Sequence, residues 1–333
     1  MSGFKLSRLP SWLQILFLLL ILIAVSFVSL GLGSSESGFS DLLSLFKGEL
    51  TGSSRMIILE LRLPRILLAL LTGLALASGG TVYQALLRNP LAEPYILGIS
   101  GGAAVGAILC SLAGCQSKIV CTGASFVIAM LTSLLVMAIS RRRNMLNTNI
   151  LILAGVVLNT FFSALIVLFL SLVRDPQSHT VFFWLMGNLG MASLSDVAVL
   201  AVPVLSLFLL IWLYGFRLNL IHLGEENAKQ AGISVEKDKW ILFAVSSFMA
   251  AATVSFTGII GFVGLIMPHI ARRIFGADHR GLVPTSAICG AIFLVFADAI
   301  SRSIAAPVEL PVGVVTAAFG VPFFLGLLWR ERA

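Results

Sequence analysis

Few residues in this sequence have the types and spacing that covalent chemistry needs. No lysine follows a glycine, so the chain lacks the phosphate-binding loop through which many ATPases hold nucleotide. It also contains no HExxH zinc motif and no CxxC pair. We therefore expect no catalytic residue, no bound cofactor and no metal site, and we expect that the chain is not an enzyme.

Three of the four cysteines, Cys110, Cys115 and Cys121, surround one short loop, whereas Cys289 lies far along the chain. They could form a disulfide if that loop faces an oxidising compartment. The alternative, which the sequence favours, is that they are small apolar residues at helix ends. No histidine lies near them, which argues against a metal site.

The composition of the whole chain is that of a membrane protein. Of its 333 residues 58% are hydrophobic and 11% are charged, and the mean hydropathy is +1.03. A soluble domain carries about 25% charged residues. The sequence therefore predicts an all-α, polytopic membrane protein that forms one transmembrane domain over residues 1–333. Its net charge of +7 follows from loop topology and does not indicate a nucleic-acid partner.

The apolar segments predict about ten membrane-crossing helices. The first follows a basic start at residues 1–8 that is similar to a signal peptide, but its apolar run of about 18–20 residues suits a full span better. The polar loop over 34–55 could contain a short helix over 40–46, and the apolar piece over 179–188 is too short to span. The predicted spans are 12–31, 57–80, 95–112, 119–139, 150–173, 197–216, 240–256, 258–275, 283–300 and 310–329.

A polar turn punctuated by prolines separates the second and third predicted spans. Pro90 and Pro94 cannot both lie in one regular helix, because each lacks an N–H and clashes with the preceding turn. Asn89–Pro94 is therefore either a gate or pathway wall, or an ordinary loop. Gly98, Gly102 and Gly106 then recur every fourth residue, which predicts a helix face that packs closely on a neighbour.

The distribution of basic residues predicts the orientation. Ten crossings with the N-terminus inside place 15 of the 22 Lys and Arg residues inside and 7 outside. The positive-inside rule then makes both termini cytoplasmic. Arg62, Arg65 and Arg302 fall on the outside, where they either snorkel at the interface or dock an acidic partner. Asp298 lies one turn before Arg302 and could pair with it.

The most polar helical stretch follows the sixth predicted span, over residues 220–233. Gly224 and Gly232 bound its most polar part, which predicts a short amphipathic helix outside the bilayer. This helix is either simply solvated or a docking element for a soluble partner.

Taken together, these motifs resemble the permease subunit of type II ABC importers for iron chelates, haem and vitamin B12, a group also described as FecCD/BtuC-like. The resemblance covers roughly residues 10 to 330. It rests on the segments Arg62–Arg65, Asn89–Pro94, Leu223–Gly232, Gly261–His269, Asp278–Arg280 and Glu309–Gly313.

The resemblance implies a homodimer in the prokaryotic plasma (inner) membrane, with two ATP-binding cassette ATPase subunits below it and a substrate-binding protein above it. It assigns Arg62, Arg65 and Arg302 to docking of the binding protein. It assigns Asn89 and Leu91 to a cytoplasmic gate, and Asn147 and Thr148 to the pathway. ATPase coupling falls to Leu223, Gly224, Glu225, Ala228, Ala231 and Gly232.

As cargo, the resemblance favours an iron chelate, either a siderophore or haem, with cobalamin as the alternative. A further alternative is an ion-coupled secondary transporter. The scarcity of ionisable residues in the predicted spans argues against that class, because proton- and sodium-coupled carriers normally contain several.

Overall fold

The computed structural model describes residues 10–33, 41, 44, 53–115, 117–142, 145–172 and 181–331. The basic start at residues 1–8 lies outside the described residues, as do most of the predicted 34–55 loop, the end of the fifth predicted span and residues 179–180.

The described chain is helical almost throughout. Its helices are α1 Ser11–Gly31, α2 Ser53–Met56, α3 Leu63–Leu87, α4 Ile99–Leu112, α5 Lys118–Ser140, α6 Thr148–Leu172, α7 Leu194–Leu213, α8 Gly215–Leu223, α9 Glu225–Gln230, α10 Val235–Thr257, α11 Val263–Phe275, α12 His279–Ser303 and α13 Val312–Glu331. A π-helical stretch, Ile57–Arg62, leads into α3, and a 3-10 turn, Pro94–Leu97, precedes α4. A two-residue antiparallel pair, β1 Arg141–Arg142 and β2 Met145–Leu146, joins α5 to α6.

The all-α membrane fold predicted from the sequence is confirmed. Seven helices in the described part of the chain are long and apolar enough to cross a membrane, and α4 and most of α13 are shorter apolar helices. With α11, ten helices of 13 or more residues lie within the described ranges, one for each predicted span. The predicted number of about ten is thus approximately right.

Burial separates the helices into an inner and an outer set. In the most apolar window of each helix, 83% of the α3 residues and 72% of the α12 residues are buried, against 11% in α6 and 17% in α7. The inner helices approach closely where glycines face each other. A Cβ added to Gly73 would lie 2.3 Å from the backbone oxygen of Gly290, and one added to Gly80 would lie 1.8 Å from that of Gly264. Small residues therefore set the contacts of α3 with α11 and α12.

Several predicted boundaries were wrong. Helix α3 continues to Leu87, seven residues beyond the predicted end at residue 80, because Thr81–Leu87 are buried against other helices. The break predicted near Gly258 is present between α10 and α11, and α11 continues through Pro268 to Phe275. The polar helix predicted over 220–233 is two helices, because Gly224 adopts φ +141° between α8 and α9.

The apolar piece after the fifth span is short, as predicted. Residues 181–185 are helical, and the following backbone is held at the α10–α11 break and at the start of α13. The N–H of Asn188 donates to the Thr257 carbonyl at 2.8 Å, and the N–H of Gly313 donates to the Met186 carbonyl at 3.1 Å.

Candidate functional site: a buried arginine cluster, a broken-helix turn and a polar helix pair

The three arginines predicted to face outward come together in one buried cluster. Asp298 on α12 accepts from the Arg65 Nε at 2.7 Å and from the Arg302 Nε at 3.0 Å, and Arg65 also donates to Glu309 at 2.6 Å. The predicted pairing of Asp298 with Arg302 is therefore confirmed. Asp298 is fully buried, whereas the side chain of Glu309 is 40% exposed.

The same cluster binds the end of α1. Arg302 donates to the Leu32 carbonyl at 2.7 Å and to the Ser29 hydroxyl at 2.7 Å, and Arg62 donates to the Leu30 carbonyl at 2.7 Å. Carbonyls at a helix C-terminus lack intrahelical partners and carry partial negative charge, which favours cations there. The cluster therefore attaches the peripheral α1 to the inner helices α3 and α12.

Burial bears on the docking role assigned to these arginines. Arg62, Arg65 and Arg302 are 4%, 7% and 2% exposed, so their guanidinium groups lie inside the chain instead of projecting from it. Docking of a partner by these arginines stays a prediction. The ion pairs of Arg65 and Arg302, and the hydrogen bond from Arg62 to the Leu30 carbonyl, give the three side chains a structural role. The sequence indicated this role only through the Asp298–Arg302 spacing.

The proline-punctuated turn leaves α3 and then folds back among the helices. Arg88 ends α3 in the left-handed region at φ +48°, and the Asn89 Oδ1 accepts from the N–H of Leu91 at 2.9 Å. Asn89 is half-buried and Leu91 is 45% exposed in the isolated chain. Asn89 and Leu91 at the tip of the turn are thus at least partly accessible to solvent, and a buried 3-10 segment follows them.

Three glycines accommodate that buried segment. Pro94 packs on Gly79 of α3 and on Gly264 of α11, where an added Cβ would lie 3.1 Å from its ring in each case. Gly155 of α6 is in tight contact with the Ile96 carbonyl, and Asn159 donates to the Tyr95 carbonyl at 3.3 Å. Irregular backbone between membrane helices is tolerated when protein buries it. This turn meets that condition.

The two predicted pathway residues, Asn147 and Thr148, lie at the start of α6, away from the part of α6 that contacts the turn. Asn147 caps the start of α6, because its Oδ1 accepts from the N–H groups of Asn149 and Ile150 at 3.1 Å each. Asn147 is exposed and Thr148 is half-buried. The contacts of α6 with the turn run through Gly155 and Asn159, about two and three helical turns further along. The described contacts therefore do not bring Asn147 and Thr148 against Asn89 and Leu91.

The glycines Gly98, Gly102 and Gly106 pack as small residues, but not all in the same way. Gly102 and Gly106 face α5, where an added Cβ would lie 2.4 Å from the Thr132 hydroxyl and 2.7 Å from the Ala124 carbonyl. Gly98 lies just before α4 at φ +76°. Its role is to let the chain enter the helix, since L-residues rarely adopt that conformation.

The polar pair α8–α9 combines an anchored side with an open side. Ala228 is fully buried, and Glu225 pairs with Lys239 of α10 at 2.6 Å. Leu223 is 70% exposed, and Ala231 and Gly232 are exposed too. Of the residues assigned to ATPase coupling, Ala228 is therefore buried in this chain, and Leu223, Ala231 and Gly232 form the accessible part.

Side-chain contacts of Arg217 and Asn219 join α8 to α10 and to the start of α12. Asn219 donates to Asp278 at 2.6 Å and accepts from the N–H of His279 at 2.8 Å, and Arg217 pairs with Asp238 at 2.8 Å. Burial alone would raise the pKa of Asp278, but the hydrogen bonds from Asn219 and the Arg280 N–H hold it below its usual range.

One contact joins the turn to the helix pair. The guanidinium of Arg88 donates to the Ile221 carbonyl of α8 at 3.2 Å. Sequence reasoning missed Arg88 and Asn219, because nothing in their local sequence indicates a partner more than 50 residues away.

Sequence comparison places the chain among membrane transport permeases. A family model described as the FecCD transport family matches residues 19–330. The hemin transport system permease protein HmuU of Yersinia pestis is 36% identical over 333 residues, which cover 98% of this chain and 98% of that protein. The cobalamin import system permease protein BtuC of Halobacterium salinarum is 41% identical over 281 residues, covering 84% of this chain and 75% of that protein.

A solved structure has the same fold along nearly the whole chain. It is an inward-facing conformation of a proposed metal-chelate type ABC transporter, with a TM-score of 0.84 and 31% sequence identity. The match covers 95% of this chain and 98% of that one.

Proposed function

The chain belongs to the FecCD transport family, and from that premise we propose that it is the permease subunit of an ATP-driven importer for an iron chelate. The observation that carries the proposal is the contact between Arg88 and Ile221. It links a buried, broken-helix turn of the kind that lines a pathway to a polar helix pair with an open face.

We propose that the chain works as a homodimer with two separate ATPase subunits and a substrate-binding protein. The exposed Leu223, Ala231 and Gly232 suit an ATPase contact, because they form a small, accessible surface on an element anchored through Ala228 and Glu225. The ATPase activity belongs to those separate subunits. The binding protein would dock at the opposite end, near the Arg62–Arg65–Arg302 cluster.

The proposed mechanism is a rigid-body transfer of motion. ATP binding closes the ATPase pair and displaces α8 and α9, and Arg88 passes this displacement to the turn at Asn89 and Leu91. Helices α4, α5 and α6 then tilt, and the path opens on alternate sides of the membrane. A cargo that arrives already chelated requires shape more than ligands, so the path can remain largely apolar.

The cargo class is drawn from the relatives. The Yersinia protein named for hemin transport aligns from end to end, which favours an iron chelate, either haem or a ferric siderophore. Cobalamin is the second candidate, because the Halobacterium protein named for cobalamin import has the higher identity of the two over a shorter match.

The test is uptake into proteoliposomes that contain this chain, its ATPase and its binding protein. Labelled ferric siderophore, haem and cobalamin are offered in parallel, with ATP and with a non-hydrolysable analogue. We expect ATP-dependent uptake of an iron chelate. ATP-dependent uptake of cobalamin alone would replace the cargo, and uptake that follows an ion gradient without ATP would overturn the mechanism.

A further inference from the structure

A cluster of three cysteines lies at the end of the molecule away from α8 and α9. Cys110 is in the last turn of α4, Cys115 is in the loop, and Cys121 is in the first turn of α5. Nearby, Lys118 contacts Met191 and Asp196 before and at the start of α7, and α7 then runs to α8. Nothing in the transport mechanism uses these cysteines.

The fold brings the three sulfur atoms together. Cys110 and Cys121 form a disulfide with their Cα atoms 5.4 Å apart, so the interpretation that the sequence favoured, small apolar residues at helix ends, is wrong for these two cysteines. Gly114 turns at φ +71°, and the N–H of Cys115 donates to the Cys110 carbonyl at 3.2 Å. This turn sets Cys115 over the disulfide, and all three sulfurs lie within 4.8 Å of one another.

The Cys110 and Cys121 sulfurs are bonded to each other, but once the disulfide is reduced all three sulfurs lie near enough to share one metal ion. A tetrahedral zinc ion with Zn–S bonds of about 2.3 Å separates its sulfur ligands by about 3.8 Å. Among the residues that the structure describes, this is the one group of three or more His, Cys, Asp or Glu side chains with such spacing. Cys110 is buried, while Cys115 and Cys121 are half-buried, so a metal ion has a route to the sulfurs and a fourth position remains for water.

We propose that Cys110, Cys115 and Cys121 form a redox-dependent site for a thiophilic divalent cation such as Zn²⁺. A dithiol reductant opens the site by giving two electrons and two protons to the Cys110–Cys121 disulfide, and it becomes a disulfide itself. The three thiols then lose their protons as the cation binds. Oxidation and metal binding exclude each other, because the disulfide uses two of the three ligands.

The chemistry separates this site from the cargo. Thiolates are soft ligands that select zinc and similar ions, whereas ferric iron in a chelate is held by its own donors. The site would instead let the loop between α4 and α5 respond to thiol redox state and to zinc.

The experiment measures Zn²⁺ binding to the purified full-length chain by competition with a chromophoric chelator. The protein is compared after reduction with a phosphine under nitrogen and after oxidation. We expect one Zn²⁺ per chain in the reduced form and none in the oxidised form. Cys115→Ser should lower the affinity at least about 100-fold, since even the loss of an outer-shell partner costs 10–100-fold.

Cys289→Ser is the matched control, because Cys289 lies within α12 and should leave binding unchanged. Cys121→Ser provides a second ligand variant, and gel filtration confirms that each variant is folded. In a second readout, bound Zn²⁺ should block formation of the Cys110–Cys121 disulfide, followed by peptide mapping. Equal binding by the reduced wild type and Cys115→Ser, absence of binding, or loss of binding in Cys289→Ser would overturn the proposal.

Discussion

Asp298 is the residue on which the arginine cluster depends. It is fully buried between Arg65 and Arg302, so its loss leaves two buried guanidinium groups facing each other. We expect Asp298→Asn to lower the free energy of unfolding by about 3–5 kcal/mol, the cost of breaking a buried ion pair from one side. Thermal unfolding in detergent measures this change.

The control is Glu309→Gln, which changes the half-exposed carboxylate that contacts the same Arg65. Because solvent reaches the Glu309 carboxylate and Asp298 still neutralises Arg65, this variant should lose less stability than Asp298→Asn. Equal effects of the two substitutions would show that burial does not govern the cluster.

Glu93, in the turn between α3 and α4, should make the stability of the protein depend on pH. Burial raises the pKa of the Glu93 carboxyl to about 7, against the effect of a hydrogen bond from the Phe262 backbone. A carboxyl with a raised folded-state pKa favours the folded state when protonated, and this contribution is lost as the pH rises from about 4.5 towards 7. The midpoint of thermal unfolding should therefore fall over that window.

Glu93→Gln keeps the shape and removes the titration, so it should flatten this part of the pH profile. Glu60→Gln, at an exposed residue of the π-helical stretch, serves as the control and should keep the slope. An unchanged slope in Glu93→Gln would assign the pH dependence to another group.

At the scale of elements, packing between helices rests on glycines at points of backbone contact. Gly80 of α3 lies against the backbone of Gly264 in α11, where an added Cβ would come within 1.8 Å of an oxygen that cannot move aside. We expect Gly80→Ala to destabilise the protein by about 1–3 kcal/mol or more, the usual cost of overpacking a core. The midpoint of thermal unfolding gives the comparison.

Gly123→Ala is the matched substitution, because an added Cβ there meets nothing within 4 Å in α5. Alanine has the higher helix propensity, by up to about 1 kcal/mol. This variant should be neutral or slightly stabilised, and a loss similar to that of Gly80→Ala would contradict the packing argument.

The exposed face of the helix pair α8–α9 is the proposed contact with the ATPase subunit. Leu223 and Met191 are both 70% exposed, but they lie at opposite ends of the molecule. Leu223→Glu should reduce ATP-driven uptake at least about tenfold, because an unpaired charge buried in the proposed ATPase contact costs about 1.4 kcal/mol or more. Met191→Glu should have little effect on ATPase contact, and co-purification of the ATPase subunit measures that difference directly.

At the scale of the whole molecule, Arg88 connects the turn to α8. In the proposed mechanism, its hydrogen bond to the Ile221 carbonyl carries a movement of the helix pair to the turn. We expect Arg88→Gln to reduce the cargo moved per ATP hydrolysed while hydrolysis itself continues. Arg55→Gln, at an exposed arginine of α2, should leave this ratio unchanged, and equal ratios in all three proteins would remove Arg88 from the coupling path.

The sequence by itself determined the class of fold and the approximate number of helices. Each apolar run is a local property, and a run of about 20 such residues can lie in a bilayer only as a helix with its backbone hydrogen bonds made internally. The breaks at Pro90–Pro94, Gly224 and Gly258 were recognisable for the same reason, since proline and glycine act on their own turn of chain.

Only the tertiary structure decided which polar residues are partners. Arg302 binds Ser29 and Leu32, which lie 273 and 270 positions earlier. Arg65 pairs with Asp298 across 233 positions, and Arg88 reaches Ile221 across 133. The same holds for the choice of Cys110 and Cys121 as the disulfide pair and for the burial of Ala228. These outcomes depend on how separate helices pack against one another, and local composition does not specify which group will satisfy a buried charge or carbonyl.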